Sequence, residues 1–99
     1  MELIISDKIL EKLRVKHGLT NPRRELLECF ASLELSGGKF LEDQREDHRT
    51  DPPTLWFIGH TNAQTMLKVA FVPRSDGIYI KTAYPPNNEE ISIYMAKGM

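Results

Sequence analysis

This sequence has few of the features that mark several large classes of protein. It contains one cysteine, Cys29, which excludes an internal disulfide, a zinc ribbon and any CxxC redox site. We expect Cys29 to be a small hydrophobic residue of the core. No run approaches the roughly 20 apolar residues that a membrane-spanning helix needs. The first residues include acidic side chains and no small-residue cleavage site, so we expect no signal peptide, no membrane segment and a cytoplasmic location.

The sequence also lacks the short motifs of common cofactor and metal sites. Its three histidines, His17, His48 and His60, have no HxxxH or HxH spacing and no acidic partner at ligand spacing, so we expect no metal site. The GxGxxG, Walker and GxSxG patterns are absent, and no cofactor is predicted. Carboxylate pairs at 42–43 and 46–47 are more typical of a solvated strand end and loop than of the acid pair of a glycosidase.

Charge is nearly balanced overall but unevenly distributed. The formal net charge is −1, from 13 basic and 14 acidic residues. Residues 1–24 carry a net +3, residues 25–53 a net −5 and residues 54–99 a net +1. A dedicated nucleic-acid binder is usually basic overall, so a polyanion would have to be bound here by a local basic patch.

The helical signals lie at the two ends of one domain that spans residues 1–99. Ser6 is suited to cap a first helix, whose stripe includes Ile5 and which Gly18 ends. The pair Asn21-Pro22 is suited to begin a second helix, which continues to about Glu34. The acidic pair at 89–90 favours the first turn of a short C-terminal helix.

Between these helices the apolar period changes to two. It predicts four strands, at 39–43, 54–61, 65–72 and 78–83, in a mostly antiparallel sheet. The fold class is therefore α+β, with the helices packed on one face of the sheet. The residues expected in the core are Leu10, Leu13, Leu27, Phe30, Phe57, Val69, Phe71 and Ile80.

Strict alternation assigns the polar strand residues to the other face. It groups Lys68, Tyr79 and Lys81 on the face away from the helices, with Trp56 and His60 beside them. Lysine and tyrosine are also common on a plain solvated sheet face, so this pattern permits a site without requiring one. The charged loop from Arg45 to Pro53 precedes the strand predicted at 54–61. It has the same two interpretations, as a solvated loop or as a loop that lies over a site.

These residue types match the requirements of RNA cleavage without a metal. A base must remove the 2′-hydroxyl proton, cations must stabilise the phosphorane, and an acid must protonate the 5′-oxygen. Aromatic rings would stack on splayed bases. The candidate residues of this kind are Lys68, Lys81, Tyr79, Tyr84, Tyr94, His48, Arg49 and His60, with Trp56 and Arg45 nearby.

Several short segments together resemble the BrnT toxins, which belong to the RelE-like superfamily of type II toxin ribonucleases. The segments, which fall between about Ile4 and Tyr94, are Lys16-His17-Gly18-Leu19, Phe40-Leu41-Glu42-Asp43, Trp56-Phe57-Ile58-Gly59 and Ile80-Lys81-Thr82-Ala83-Tyr84 followed by Glu90 and Tyr94. The resemblance implies a helices-then-sheet fold, metal-independent cleavage of RNA, free or on the ribosome, and neutralisation by a cognate antitoxin. It also implies that the chain forms a dimer, or a heterotetramer with that antitoxin.

The sequence departs from this family at position 84, where Tyr84 replaces the usual arginine, and in a less basic C-terminal helix. Either the phosphate contact moves to Lys81, Arg49 or Arg45, or the activity is weakened or lost. In the first case the loop supplies the missing positive charge through His48 and Arg49. The predicted catalytic residues are Lys81, His48, Arg49 and Tyr84, and the predicted substrate-binding residues are Lys68, Tyr79, Trp56, His60, Arg45 and Tyr94. The alternative hypothesis is a catalytically silent relative whose sheet face binds a protein or another ligand.

Overall fold

The computed structural model describes residues 2–43 and 52–98, and its centre is a five-stranded mixed sheet. The elements in chain order are β1 (Leu3–Ile4), α1 (Asp7–Val15), α2 (Pro22–Ser36), β2 (Leu41–Glu42), β3 (Leu55–His60), β4 (Met66–Arg74), β5 (Gly77–Tyr84) and α3 (Asn88–Lys97). The sheet order is β1-β5-β4-β3-β2, in which the β1–β5 pair is parallel and the other pairs are antiparallel. The α+β class is confirmed. No helix in these two ranges is long and apolar enough to cross a membrane.

Local capping signals fix the helix ends. The Ser6 hydroxyl accepts a hydrogen bond from the Ile9 N–H at 3.2 Å, and Asn21 caps α2 in the same way. Gly37 ends α2 with a positive φ of 71°, a conformation that glycine adopts without strain. The second helix therefore extends to Ser36, two residues beyond the predicted Glu34.

The first strand was not predicted. It has only two residues, Leu3 and Ile4, so it shows no alternation, and it pairs in parallel with the start of β5. Leu3 is buried, and the Ile78 N–H donates to the Glu2 carbonyl at 2.9 Å. The prediction of four strands was therefore one short, and Ile5 precedes the first helix instead of belonging to its apolar stripe.

One face of the sheet packs against α2. Phe30 lies 4.7 Å from Phe57 and 5.5 Å from Phe71, measured between ring centroids. Gly59 allows the close approach of the helix, because a β-carbon at this position would lie 2.7 Å from the Cys29 carbonyl oxygen. Of the predicted core residues, those found buried are Leu13, Phe30, Phe57, Val69, Phe71 and Ile80.

Leu27 was predicted to be buried and is not: it is 43% exposed. The apolar stripe of α2 passes through Leu26, Cys29 and Leu33, and Leu27 is turned about 100° away from Leu26 around the helix. Leu10 is only partly buried. Cys29 belongs to the core as expected, and burial, followed by the nearby Glu28 and Glu25, raises the pKa of its thiol to about 12.

The other face of the sheet is covered in part by α3, so the helices do not all lie on one side. The Tyr94 ring is 5.8 Å from the Trp56 ring, and its hydroxyl donates to the Lys39 carbonyl at 2.9 Å. This face was predicted to be open. The central strand β4 is consequently buried from Leu67 to Val72, including Lys68.

A β-bulge changes which side chains share that face. Ala70 pairs with Thr82 but Phe71 pairs with Ile80, so Lys81 has no partner in the register. The bulge reverses the alternation of β5 beyond this point. Tyr84 therefore pairs with Lys68 and shares its face, while Ala83 pairs with Val69 in the core.

Candidate functional site

A polar cluster is formed by Lys68, Glu90, Tyr84 and His17. Its centre is Lys68, which is only 7% exposed. Its Nζ donates to Glu90 Oε2 at 2.8 Å. The same Nζ lies 4.7 Å from the centroid of the Trp56 ring and 5.7 Å from that of Tyr84. A buried ammonium group needs such compensation, and here one carboxylate and two ring faces provide it.

Glu90 connects α3 to the sheet through both of its carboxylate oxygens. Oε1 accepts from the Asn87 N–H at 3.0 Å, while the Asn87 side chain accepts from the Glu90 N–H, which completes a capping box. Oε2 accepts from Lys68 and from the Tyr84 hydroxyl at 2.6 Å. Burial alone would raise the pKa of Glu90, but the hydrogen bonds from Lys68, Tyr84 and the Asn87 backbone outweigh it and lower the pKa.

Tyr84 is held in place by this carboxylate and faces His17. The two rings are 5.6 Å apart between centroids and tilted by 31°. Burial, followed by the hydrogen bond to Glu90, raises the pKa of the Tyr84 phenol, so the phenol stays protonated at neutral pH. Its one hydroxyl proton is donated to Glu90, which fixes the orientation of the ring that His17 contacts.

His17 lies between α1 and α2 in a positive environment. Partial burial, together with the charges of Lys12 and Lys16, lowers the pKa of its imidazole. The ring is therefore neutral at pH 7 and able to accept a proton. A neutral imidazole can act as a general base, and nearby ammonium groups attract an anionic substrate.

A cavity of about 650 Å³ lies on the other side of Lys68, toward β2 and α3. Its lining residues are Leu41, Glu42, Asp43, Trp56, Lys68, Asn87, Glu89, Glu90, Ile93 and Lys97. Carboxylates outnumber lysines in this lining, and one of the two lysines is already paired with Glu90. Among residues 2–43 and 52–98 the lining is therefore richer in carboxylates than in lysines, which disfavours a phosphate.

The structure brings together four of the predicted site residues, namely Lys68, Trp56, Tyr84 and, through its ring contact with Trp56, Tyr94. Tyr79 is not among them. Its hydroxyl donates to Asp76 at 2.6 Å in the β4–β5 turn, and the guanidinium of Arg74 lies 5.4 Å from its ring. The hydrogen bond to Asp76 raises the pKa of Tyr79.

The remaining predicted residues lie elsewhere. His60 is exposed at the end of β3, where its backbone N–H donates to the Ser32 hydroxyl at 2.9 Å. Lys81 is exposed at the bulge of β5 and does not pair with Lys68. Arg45, His48 and Arg49 lie outside the described residues.

Sequence reasoning did not include His17, Lys12, Lys16 or Glu90 among the site residues. The signal for His17 was its place in the Lys16-His17-Gly18 segment, and the signal for Glu90 was the Asn-x-x-Glu spacing of a capping box at 87–90. The pairing of Glu90 with Lys68, which is 22 residues away in the chain, leaves no trace in a single sequence.

Within residues 2–43 and 52–98, no group of three or more His, Cys, Asp or Glu side chains is placed to hold a metal ion. Comparison of the chain with protein-family models, with curated proteins and with solved structures finds no match. The resemblance to BrnT therefore stays a prediction. The function has to be argued from the chemistry of the site.

Proposed function

We propose that this chain is a RelE-like endoribonuclease, the toxin of a type II toxin–antitoxin pair, that cleaves RNA by attack of a 2′-hydroxyl on the adjacent phosphate. The observation that carries the proposal is the His17 imidazole, which directly follows Lys16 in the chain and lies 5.6 Å from the ring of Tyr84 that Glu90 holds in place. The order of short segments along the chain supports the same reading. The central catalytic residue of this proposal is His17, in place of the predicted Lys81.

In the proposed reaction His17 accepts the proton of the 2′-hydroxyl as the 2′-oxygen attacks phosphorus. The new bond joins the 2′-oxygen to phosphorus, and the bond from phosphorus to the 5′-oxygen breaks. An ammonium of Lys12 or Lys16 stabilises the pentacoordinate phosphorane and supplies the proton that the departing 5′-oxygen takes. The products are a 2′,3′-cyclic phosphate and a free 5′-hydroxyl.

Tyr84, Glu90 and Lys68 act as positioning residues in this scheme. Lys68 holds Glu90, Glu90 accepts the hydroxyl proton of Tyr84, and Tyr84 supports the imidazole. Lys68 is unsuited to binding phosphate because its charge is buried and paired. Lys81, exposed three residues before Tyr84 on β5, remains available for an additional phosphate contact.

The charge of this region indicates where the antitoxin of the proposed pair would bind. On the sequence pattern alone, such a partner would bury the face of Lys68 and Lys81 or the loop at 45–49. Because Lys68 already pairs with Glu90, an acidic partner segment would instead meet Lys12, Lys16 and Lys81. Such a partner would associate at a rate that falls with ionic strength.

The test is a cleavage assay with purified chain, a 5′-labelled single-stranded RNA and excess EDTA. We expect a ladder of fragments that end in 2′,3′-cyclic phosphate, and no cleavage at a position where one ribose is replaced by 2′-deoxyribose. The matched control is His17→Gln, which keeps a hydrogen-bonding group but removes the base. Intact RNA after incubation with the folded wild-type chain, alone and with ribosomes, would refute the proposal.

The acidic cavity favours a second candidate function. In this reading the chain is a catalytically silent relative that binds a positively charged protein segment or ligand against Trp56 and the surrounding carboxylates. The two functions differ in the RNA assay. A chain that leaves RNA intact but whose unfolding temperature rises with an arginine-rich peptide, and not with an oligonucleotide, would favour the binding module.

A further inference from the structure

Two lysines of α1 and its C-cap residue, Lys16, form a row along one side of the helix. Lys8, Lys12 and Lys16 are each four residues apart, so they follow one another at about one turn and about 6 Å of rise. Lys8 and Lys16 are exposed and Lys12 is half-buried. The row therefore presents three positive charges over about 12 Å, which is the rise of three to four stacked nucleotides at roughly 3.4 Å each.

No ion pair accounts for this row. Among residues 2–43 and 52–98 the salt bridges join Arg24 to Glu28 and Lys68 to Glu90, so none involves α1. Like charges four residues apart on a helix repel one another, and Glu11, three residues after Lys8, offsets only part of this repulsion. The row is therefore a small cost to the folded chain in the absence of a partner.

The helix dipole explains only part of the row. Lys12 and Lys16 lie at the negative C-terminal end of α1, where a positive charge is favourable. Lys8 lies in the first turn, beside the N–H groups at the positive end, where it is unfavourable. Its presence in line with the other two points to a ligand that spans the whole row.

The row also ends at the proposed site. Lys12 and Lys16 are the two charges that lower the pKa of His17, and His17 contacts the ring of Tyr84. His17 directly follows Lys16 in the chain, so a strand whose phosphates follow the lysines would meet the imidazole at the end of the row. In-line attack also needs a nucleotide that can leave the stacked helix, which a duplex resists and a single strand permits.

We propose that the row of Lys8, Lys12 and Lys16 binds the backbone phosphates of a single-stranded nucleic acid and directs the strand onto His17. The substrate class is then single-stranded RNA with three to four nucleotides on one side of the cleaved bond. This proposal rests on the proposed function for its RNA substrate. The binding itself can be measured without cleavage.

The experiment measures binding of a fluorescein-labelled 12-nucleotide oligodeoxythymidine, which has no 2′-hydroxyl, by anisotropy over a range of salt concentrations. For a single strand, each phosphate contact contributes about 0.7 to the slope of log affinity against log salt. We expect Lys8→Gln to reduce the slope by about 0.7, and Lys8→Gln with Lys12→Gln by about 1.4. The control is Lys97→Gln, which makes the same change in charge at the acidic cavity and is expected to leave the slope unchanged.

The outcomes separate this proposal from the proposed function. If the magnitude of the salt slope decreases in the α1 variants but RNA stays intact, phosphate binding by the row is supported and the proposed ribonuclease activity is refuted. If RNA is cleaved and the slope is the same in all variants, phosphate binding by the row is refuted. The same holds if the magnitude of the slope decreases equally with Lys97→Gln. Equal affinity for a 12-base-pair duplex would refute the single-strand assignment. Circular dichroism of each variant excludes loss of the helix as the cause.

Discussion

The two ends of the polar cluster have opposite electrostatic character although lysine is present at both. At the α1 end, Lys12 and Lys16 have no ionic partner among residues 2–43 and 52–98, and they lower the pKa of His17. At the α3 end, Lys68 is buried and paired with Glu90 beside an acidic cavity. Glu90 and Tyr84 link the two ends.

This difference shows that the type of a residue says little about its role until its partners are known. Lys68 was expected to bind substrate because it lies on a polar sheet face. In the structure it neutralises a carboxylate, which in turn anchors a helix and a tyrosine. Lysines without an ionic partner among residues 2–43 and 52–98 lie instead on and directly after α1, within residues 1–24, the segment that carries a net +3.

The largest expected effect is on the stability of the α3 end. Glu90→Ala leaves the buried ammonium of Lys68 without its partner and also removes half of a capping box. We expect the free energy of unfolding to fall by about 3 kcal/mol, as for other broken buried ion pairs. Urea denaturation measures this change.

The control for that experiment is Glu89→Ala, in the same turn of α3 but exposed, for which we expect a change within about 0.5 kcal/mol. Equal effects of the two substitutions would mean that the Lys68–Glu90 pair does not anchor the helix. A double variant, Lys68→Met with Glu90→Gln, should recover part of the loss, because no buried charge is left unpaired.

The next effect is on activity at the α1 end. His17→Gln is expected to reduce RNA cleavage by about 10²-fold, the usual contribution of a general base, with little effect on binding of an uncleavable strand. Single-turnover cleavage and anisotropy measure the two quantities. His60→Gln, an exposed histidine on β3, serves as the control and should cleave RNA at the wild-type rate. A similar loss in both variants would remove His17 from the site.

The pH dependence of cleavage sharpens the comparison further. A base must be deprotonated to act, so the rate should rise with pH through the pKa of His17, which lies below the usual value of an imidazole. Burial lowers this pKa most, followed by the charges of Lys12 and Lys16. Lys12→Gln removes one of these charges and leaves Lys16 to stabilise the phosphorane, so the rising limb should move to higher pH. A limb that stays in place would show that another group titrates.

The smallest effect concerns the side of α3 that contacts Lys39. Tyr94→Phe removes one hydrogen bond, from the hydroxyl to the Lys39 carbonyl, and keeps the ring against Trp56. We expect a loss of about 1 kcal/mol in the free energy of unfolding, with RNA cleavage unchanged. Tyr84→Phe is the matched comparison, because it removes a hydroxyl near His17 and should lower cleavage as well. Equal cleavage by both variants would contradict the positioning role of Tyr84.

The sequence predicted what is decided locally. Helix caps at Ser6 and Asn21 are formed by residues three positions apart, and the alternation of β3 and β4 follows from neighbours in the chain. These features were found in their predicted places. The α+β class followed from them.

What the sequence did not predict depends on distant contacts. The bulge opposite Ala70 reverses the alternation of β5 and brings Tyr84, instead of Lys81, to the face of Lys68. The position of α3 across that face depends on Glu90 meeting Lys68 and on Tyr94 meeting Trp56. Neither event changes the apolar pattern, so the sequence did not predict which of the candidate residues lie together, namely Trp56, Lys68, Tyr84 and Tyr94.

The central claim is that the α1 end, and not the cavity end, receives the polyanion. The most direct test is a titration of ¹⁵N-labelled chain with the 12-nucleotide oligodeoxythymidine, followed by two-dimensional amide NMR. We predict the largest shifts at residues 8–19 and 81–84, and little change at residues 41–43 and 87–97. Shifts concentrated at the cavity, or no shifts at millimolar oligonucleotide, would contradict the account.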